Sequence, residues 1–138
     1  MFCIDNRCTD VYFNLAVEEY LLKQTQGDYF VIWQSEPSVV MGKNQSVRAE
    51  VNEDYRIEKG IRLARRFSGG GAVYHDKGNI NLTFIETTSQ PPVLKTICSV
   101  LLVFWKRWES RPIWMSVWEF IWMERKYRVV RNVFIKTV

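Results

Sequence analysis

Arg65, Arg66, Ser68, Gly69, Gly70, Gly71 and His75 lie within the stretch RRFSGGGAVYHDKGNINLTF, Arg65 to Phe84. Two guanidinium groups stand beside three consecutive glycines and the chain's single histidine. Glycine loses more conformational freedom on folding than any other residue, so a run of three calls for a compensating use. Successive backbone N–H groups without side chains can converge on one anion, and arginine grips phosphate or carboxylate by a bidentate fork. The chemistry suggested is therefore the holding of an anion, a phosphate or a carboxylate. On spacing alone, a solvated hairpin with a surface arginine pair serves as well, because the pattern is neither G-x-x-x-x-G-K-S/T nor G-x-G-x-x-G. If residues 61–67 form a strand, adjacent arginines point to opposite faces and only one of them lines the site.

Other side chains offer less. His75 is a candidate general base or a shaping residue. Asp76 suits a turn, where its carboxylate bonds its own backbone. Asn79 and Asn81 could reach phosphate oxygens or Mg²⁺; Asn81, alternating with Ile80 and Leu82, suits equally a satisfied inward polar residue. Cys3, Cys8 and Cys98 have no metal-ligand spacing and read as reduced thiols filling core space.

The elements that must position these groups follow from patterning. Residues 14–24 have helical spacing with Asn14 as N-cap. Residues 28–34 and 38–42 read as strands separated by Pro37, followed by the polar loop Gly42–Ser46. Residues 51–60 form a helix stopped by Gly60, and 61–67 alternate as a strand. Residues 71–85 have the shape of two strands around a turn at Asp76–Asn79. Pro91 opens an apolar helix reaching Phe104. The 138 residues suffice for one domain. There is no apolar run long enough to span a bilayer, and the acid-bearing start MFCIDNRCTD is unlike a signal peptide. A cytoplasmic protein is the expectation.

The stretch RR-x-SGGGAV-Y/F-HD-x-GN resembles the signature of lipoate–protein ligases, in the biotin/lipoate attachment family. NLAVEEYLL resembles that family's first helix, and WQSEPSVVMGKNQ (Trp33–Gln45) resembles its block W-x-x-x-P-x-VV-x-G-K/R-x-Q. Three blocks in order cover residues 1–104. The resemblance implies an α/β fold, a mixed sheet with packed helices of the biotin/lipoate ligase catalytic-domain type. It also implies a reaction. Lipoate attacks the α-phosphate of ATP to give lipoyl-adenylate and pyrophosphate, and an acceptor lysine amine then takes the lipoyl group. ATP and lipoate are substrates, with Mg²⁺ accompanying ATP. The acceptors implied are lipoyl domains of 2-oxoacid dehydrogenase complexes or the glycine-cleavage carrier protein. By position, Arg66, Gly71, Ala72, Val73 and Tyr74 match the adenylate-binding stretch. Ser68, Gly69, Gly70, His75 and Asn79 shape the loop. Trp33, Val40, Gly42, Lys43, Asn44 and Gln45 match the lipoyl-binding part. Positioning and charge stabilisation suffice for both steps, so no protein nucleophile and no resident metal is assigned.

The tail, residues 105–138, departs from the pattern. The family carries D-G-K-K-I/V-S-G after the glycine block, with a lysine that contacts the acyl-adenylate; the tail has no such motif, so no catalytic residue is assigned. It holds five of the six tryptophans, with 8 basic and 3 acidic side chains against 11 and 12 in residues 1–104. Trp114, Trp118 and Trp122 recur every fourth residue, as a helical core stripe or a base-stacking surface would. A third explanation accounts for more. Trp122-Met123-Glu124 must be encoded TGG ATG GAR, and dropping two bases forces Asp-Gly; the next codons then permit Lys-Lys-Ile/Val-Ser-Gly. A frameshift near Phe104 is the expectation, with residues 1–104 the N-terminal part of a ligase catalytic domain and 105–138 out of frame. Tail charge and aromatics are then accidents of frame, with no nucleic-acid and no membrane partner. The alternatives are an octanoyl or lipoyl transferase of the same superfamily, and a non-catalytic nucleotide- or lipoate-binding remnant.

Overall fold

A computed structural model describes residues 1–87, 113–116, 120–121 and 128–137. Strand β1 (Phe2–Asn6) leads into helix α1 (Val11–Gln24), strands β2 (Tyr29–Trp33) and β3 (Ser38–Met41), and short helices α2 (Val47–Glu50) and α3 (Glu53–Glu58). Strands β4 (Arg62–Arg65), β5 (Val73–His75), β6 (Asn79–Thr87), β7 (Ile113–Ser116), β8 (Phe120–Ile121) and β9 (Arg128–Thr137) follow. They make two mixed sheets. The larger runs β1-β2-β6-β9-β7, with β8 also on β9; the smaller is β4-β3-β5. β1 and β2 are parallel, as are β3 and β4, and the remaining pairs are antiparallel.

Helix α1 starts three residues before Asn14. Asp10 is its cap, its carboxylate accepting from the Phe13 N–H at 2.9 Å. That bond and the Arg62 guanidinium hold the Asp10 carboxyl below its usual range. Asn14 is instead buried on the helix, donating to the Gln34 carbonyl at 2.9 Å and accepting from Asn6. The helix lies across both sheets. Its first turns pack Val11 and Leu15 on Val40 and Ala64 of the small sheet, while Leu21 and Leu22 pack on Val31, Trp33 and Ile85 of the large one. Leu82 and Phe84, with Phe30, Ile32 and Ile80, form a cluster on the opposite face of the large sheet.

The second helix expected at 51–60 is confined to Glu53–Glu58 and capped by Asn52, with α2 as an extra turn before it. The turn at Asp76 forms as expected, its carboxylate accepting from the Gly78 N–H at 2.8 Å. Its two strands do not pair with each other, however: β5 joins β3 and β6 joins β2, so the turn carries the chain from one sheet to the next. The helix expected from Pro91 to Phe104 lies outside the described residues, as does Cys98. Trp114 sits in β7, not on a helix; Trp118 and Trp122 are outside the described residues. Cys3 and Cys8 are exposed thiols and not core fillers, because β1 is an edge strand and Cys8 lies in the loop beyond it. Among the described residues no helix is long and apolar enough to cross a membrane.

Candidate functional site

Parallel pairing of β3 with β4 brings the ends of both strands, Met41 and Arg65, side by side. The two loops that leave those ends are the glycine loop, 67–72, and the Gly42–Gln45 loop. They touch. A Cβ on Gly42 would lie 2.0 Å from the Gly70 carbonyl oxygen, so no larger residue fits there without moving backbone. The Lys43 N–H donates to the Ser68 carbonyl at 2.7 Å, and the Arg66 N–H to the Met41 carbonyl at 2.9 Å. Gly70 has φ 93°, a conformation that residues with side chains rarely adopt.

The two arginines do face opposite ways. Arg66 is 4% exposed, and its guanidinium turns back on the glycine loop. Nε and Nη2 donate to the Gly69 carbonyl at 3.0 and 2.8 Å, Nη2 to Gly71 at 2.9 Å, and Nη1 to Val40 at 3.3 Å. Three glycines and a buried arginine thus explain one another: the flexible backbone wraps its carbonyls around a cation. In this structure the loop presents carbonyls to Arg66, while Gly69, Gly70 and Gly71 are exposed to solvent. Arg65 is exposed and donates to carbonyls of the other loop: Gly42, Lys43 and Gln45.

The remaining expected residues divide into two groups. Lys43 and Asn44 are exposed in their loop; Gln45 turns inward, its Oε1 accepting from the Gly42 N–H at 2.9 Å. Tyr74 is exposed on β5, with Ala72 and Val73 half-buried beside it. Ser68 is buried, and its hydroxyl has no partner among the described residues. Asn79 is buried and donates to the Tyr74 carbonyl at 3.1 Å, bracing the crossing between sheets. Asn81 is wholly buried, yet neither end of its amide has a partner among the described residues; it is inward but unsatisfied. Val40 is core packing beneath α1.

His75 is 1% exposed, its ring 5.6 Å from that of Trp33. Burial, reinforced by the nearby Arg66 charge, pushes its pKa down to about 4, against a smaller opposing pull from Asp76. It is neutral at pH 7, which suits shaping the site better than exchanging protons with solvent. Trp33 joins a buried polar chain: its Nε1–H donates to Thr83 Oγ1 at 3.0 Å, whose hydroxyl donates to Glu18 Oε2 at 3.0 Å. Glu18 and Thr83 went unnoticed in the sequence. The signal was present, because Val11, Asn14, Glu18, Leu21 and Leu22 recur on one face of α1 and that face is buried.

Two mixed sheets spanned by one helix, with a glycine loop and a second loop meeting where β3 and β4 end, make a mixed α/β domain. The sequence profile of the lipoyl protein ligase A/B catalytic domain matches residues 10–124, and the chain belongs to that family. It is 48% identical over 86 residues to lipoate–protein ligase 1 of Staphylococcus aureus, which covers 61% of this chain and 26% of that protein. It is 51% identical over 81 residues to the human mitochondrial lipoyl amidotransferase LIPT1, covering 56% of this chain and 22% of the relative. The chain therefore spans about a quarter of the length of these relatives. A crystal structure of lipoate–protein ligase A bound with ATP superposes with a TM-score of 0.77 at 19% identity, over 99% of this chain and 66% of that one. That likeness establishes the fold.

Proposed function

We propose that the chain carries the N-terminal part of a lipoate–protein ligase catalytic domain, whose reaction is ATP-dependent formation of lipoyl-adenylate and then transfer to an acceptor-domain lysine, impaired here by the missing lysine motif. The observation that carries this reading is the contact of Gly42 with Gly70, which joins the two loops into one surface. In this reading Gly71, Ala72, Val73 and Tyr74 lie along the adenylate. Arg66 sets the glycine loop's carbonyls and supplies positive charge behind it. Gly42, Lys43, Asn44 and Gln45 cover the lipoyl chain, with Trp33 at its apolar end. Activation needs the lipoate carboxylate brought in line with the α-phosphate while negative charge on phosphorus is offset; both are tasks of placement. His75, neutral and enclosed, holds the site's shape. Mg²⁺ would accompany the nucleotide, held on its phosphates. The ATP-bound ligase of the same fold and the ligase named among the relatives support this choice.

The acceptors would be lipoyl domains of 2-oxoacid dehydrogenase complexes or the glycine-cleavage carrier protein, met in the cytoplasm. The test is lipoylation of such a domain by the purified chain with lipoate and ATP. Turnover that disappears in Arg66→Ala with the fold retained supports the reading. The absence of D-G-K-K-I/V-S-G favours a second one, a lipoate- or nucleotide-binding remnant with impaired turnover. In that case titration shows uptake of lipoate or ATP without product. Transfer of the lipoyl group from a lipoyl-lysine amide on one protein to the acceptor lysine, without ATP, would point to the amidotransferase activity named for the human relative. The frameshift near Phe104, with residues 105–138 out of frame, is tested by sequencing the gene from Pro91 onward. A shifted frame that does not encode the missing motif disproves it.

A further inference from the structure

Arg65 ends β4 directly beside the start of the Gly42–Gln45 loop. A single nitrogen, Nη1, donates to three carbonyls of that loop: Gly42 at 2.8 Å, Lys43 at 3.1 Å and Gln45 at 2.8 Å. Three carbonyl oxygens aimed at one point repel one another, and a cation at the centre turns that repulsion into attraction. The rest of the loop depends on the same arrangement. The Gly42 N–H is held by its own Gln45 side chain, and Gln45 N–H returns to the Gly42 carbonyl at 3.2 Å. Arg66, the next residue, does the same for the other loop through Gly69 and Gly71. The pair therefore assigns one cation to each loop.

We infer that Arg65 is a positioning residue for the acyl-acid half of the site: it sets the 42–45 loop in the shape that receives the lipoyl chain, and it leaves the nucleotide half to Arg66. This rests on reading 42–45 as the lipoyl loop. A residue that merely stabilised the fold would weaken both ligands alike; a positioning residue separates them. The full chain is titrated with lipoate alone and with ATP alone, and amide hydrogen exchange is followed at residues 42–46, for the unsubstituted protein, Arg65→Gln and Arg65→Lys.

Arg65→Gln is expected to speed exchange at 42–46 and to weaken lipoate by about tenfold, with ATP affinity within about twofold of the original. Arg65→Lys recovers part of the lipoate affinity, because an ammonium has three donors for the same carbonyls. Unchanged exchange, an unchanged lipoate affinity, or equal weakening of both ligands overturns the assignment. An unsubstituted chain that takes up neither ligand sinks the ligase reading and this role with it. The exchange data then still tell whether Arg65 holds the loop, so the two failures are distinguishable.

Discussion

The small sheet and the interior of the large sheet solve opposite problems. Around β3, β4 and β5 the polar work is done mostly by main chain: carbonyls of two loops gather on two arginines, while Lys43 and Asn44 remain outside. Between α1 and the large sheet it is done by side chains, Trp33 to Thr83 to Glu18, with His75 against the indole. A surface built from backbone tolerates change in side chains but not in glycine. An interior built from side chains tolerates no loss of a partner.

The sharpest way to test this contrast is pH. The folded His75 pKa, about 4, lies below its ordinary value of 6.5. The unfolded chain therefore binds a proton between those values that the folded chain refuses. Stability is fully present above pH 6.5 and falls as pH drops towards 4, by about 3 kcal/mol. Urea titrations at pH 7.5 and 4.5 should show the loss, and His75→Gln should flatten it; an unchanged midpoint would break the contrast. Next, Gly42→Ala must push a methyl into the Gly70 carbonyl, and about 2–3 kcal/mol of stability or a displaced loop is expected from a clash with backbone. Thermal unfolding and hydrogen exchange at 68–71 read it out. Thr83→Val keeps the shape but removes both bonds made through the hydroxyl, from the Trp33 N–H and to Glu18, at a cost of about 2 kcal/mol in denaturant unfolding. Smallest is Asp10→Ala, which removes the α1 cap and the Arg62 ion pair; the thermal midpoint should fall by less than in Thr83→Val.

The same contrast explains what the sequence revealed. The glycines beside the paired arginines marked the loop of the small sheet, but spacing alone fitted a solvated hairpin equally and pointed to N–H groups on an anion, where the structure turns carbonyls onto Arg66. One strand of each sheet was visible in Asp28–Gln34 and Ser38–Gly42 through aromatic and branched content, and β4 through the alternation of 61–67; β1 and the strands of the tail were not. The turn at Asp76 was visible too, but not its destination: whether β5 and β6 pair with one another depends on strands elsewhere, and alternation records only the face. Asp10 was overlooked as a cap because Asn14 preceded the more obvious apolar repeat. Arg65 looked like the spare of the pair, since the carbonyls it collects carry no signature in residue type. Glu18 is one of two adjacent acids in the helix, and its spacing from Val11 and Leu22 puts it inside.

β6 sits between β2 and β9, and its second neighbour begins at Arg128, some forty residues after its own last residue, Thr87. During synthesis at about 5–20 residues per second, the nine-residue strand waits several seconds with one row of amides and carbonyls unclaimed. An unclaimed strand edge is an invitation to another nascent chain. Yield in the cell should accordingly respond to slower translation between those two strands, even where the finished protein is unchanged.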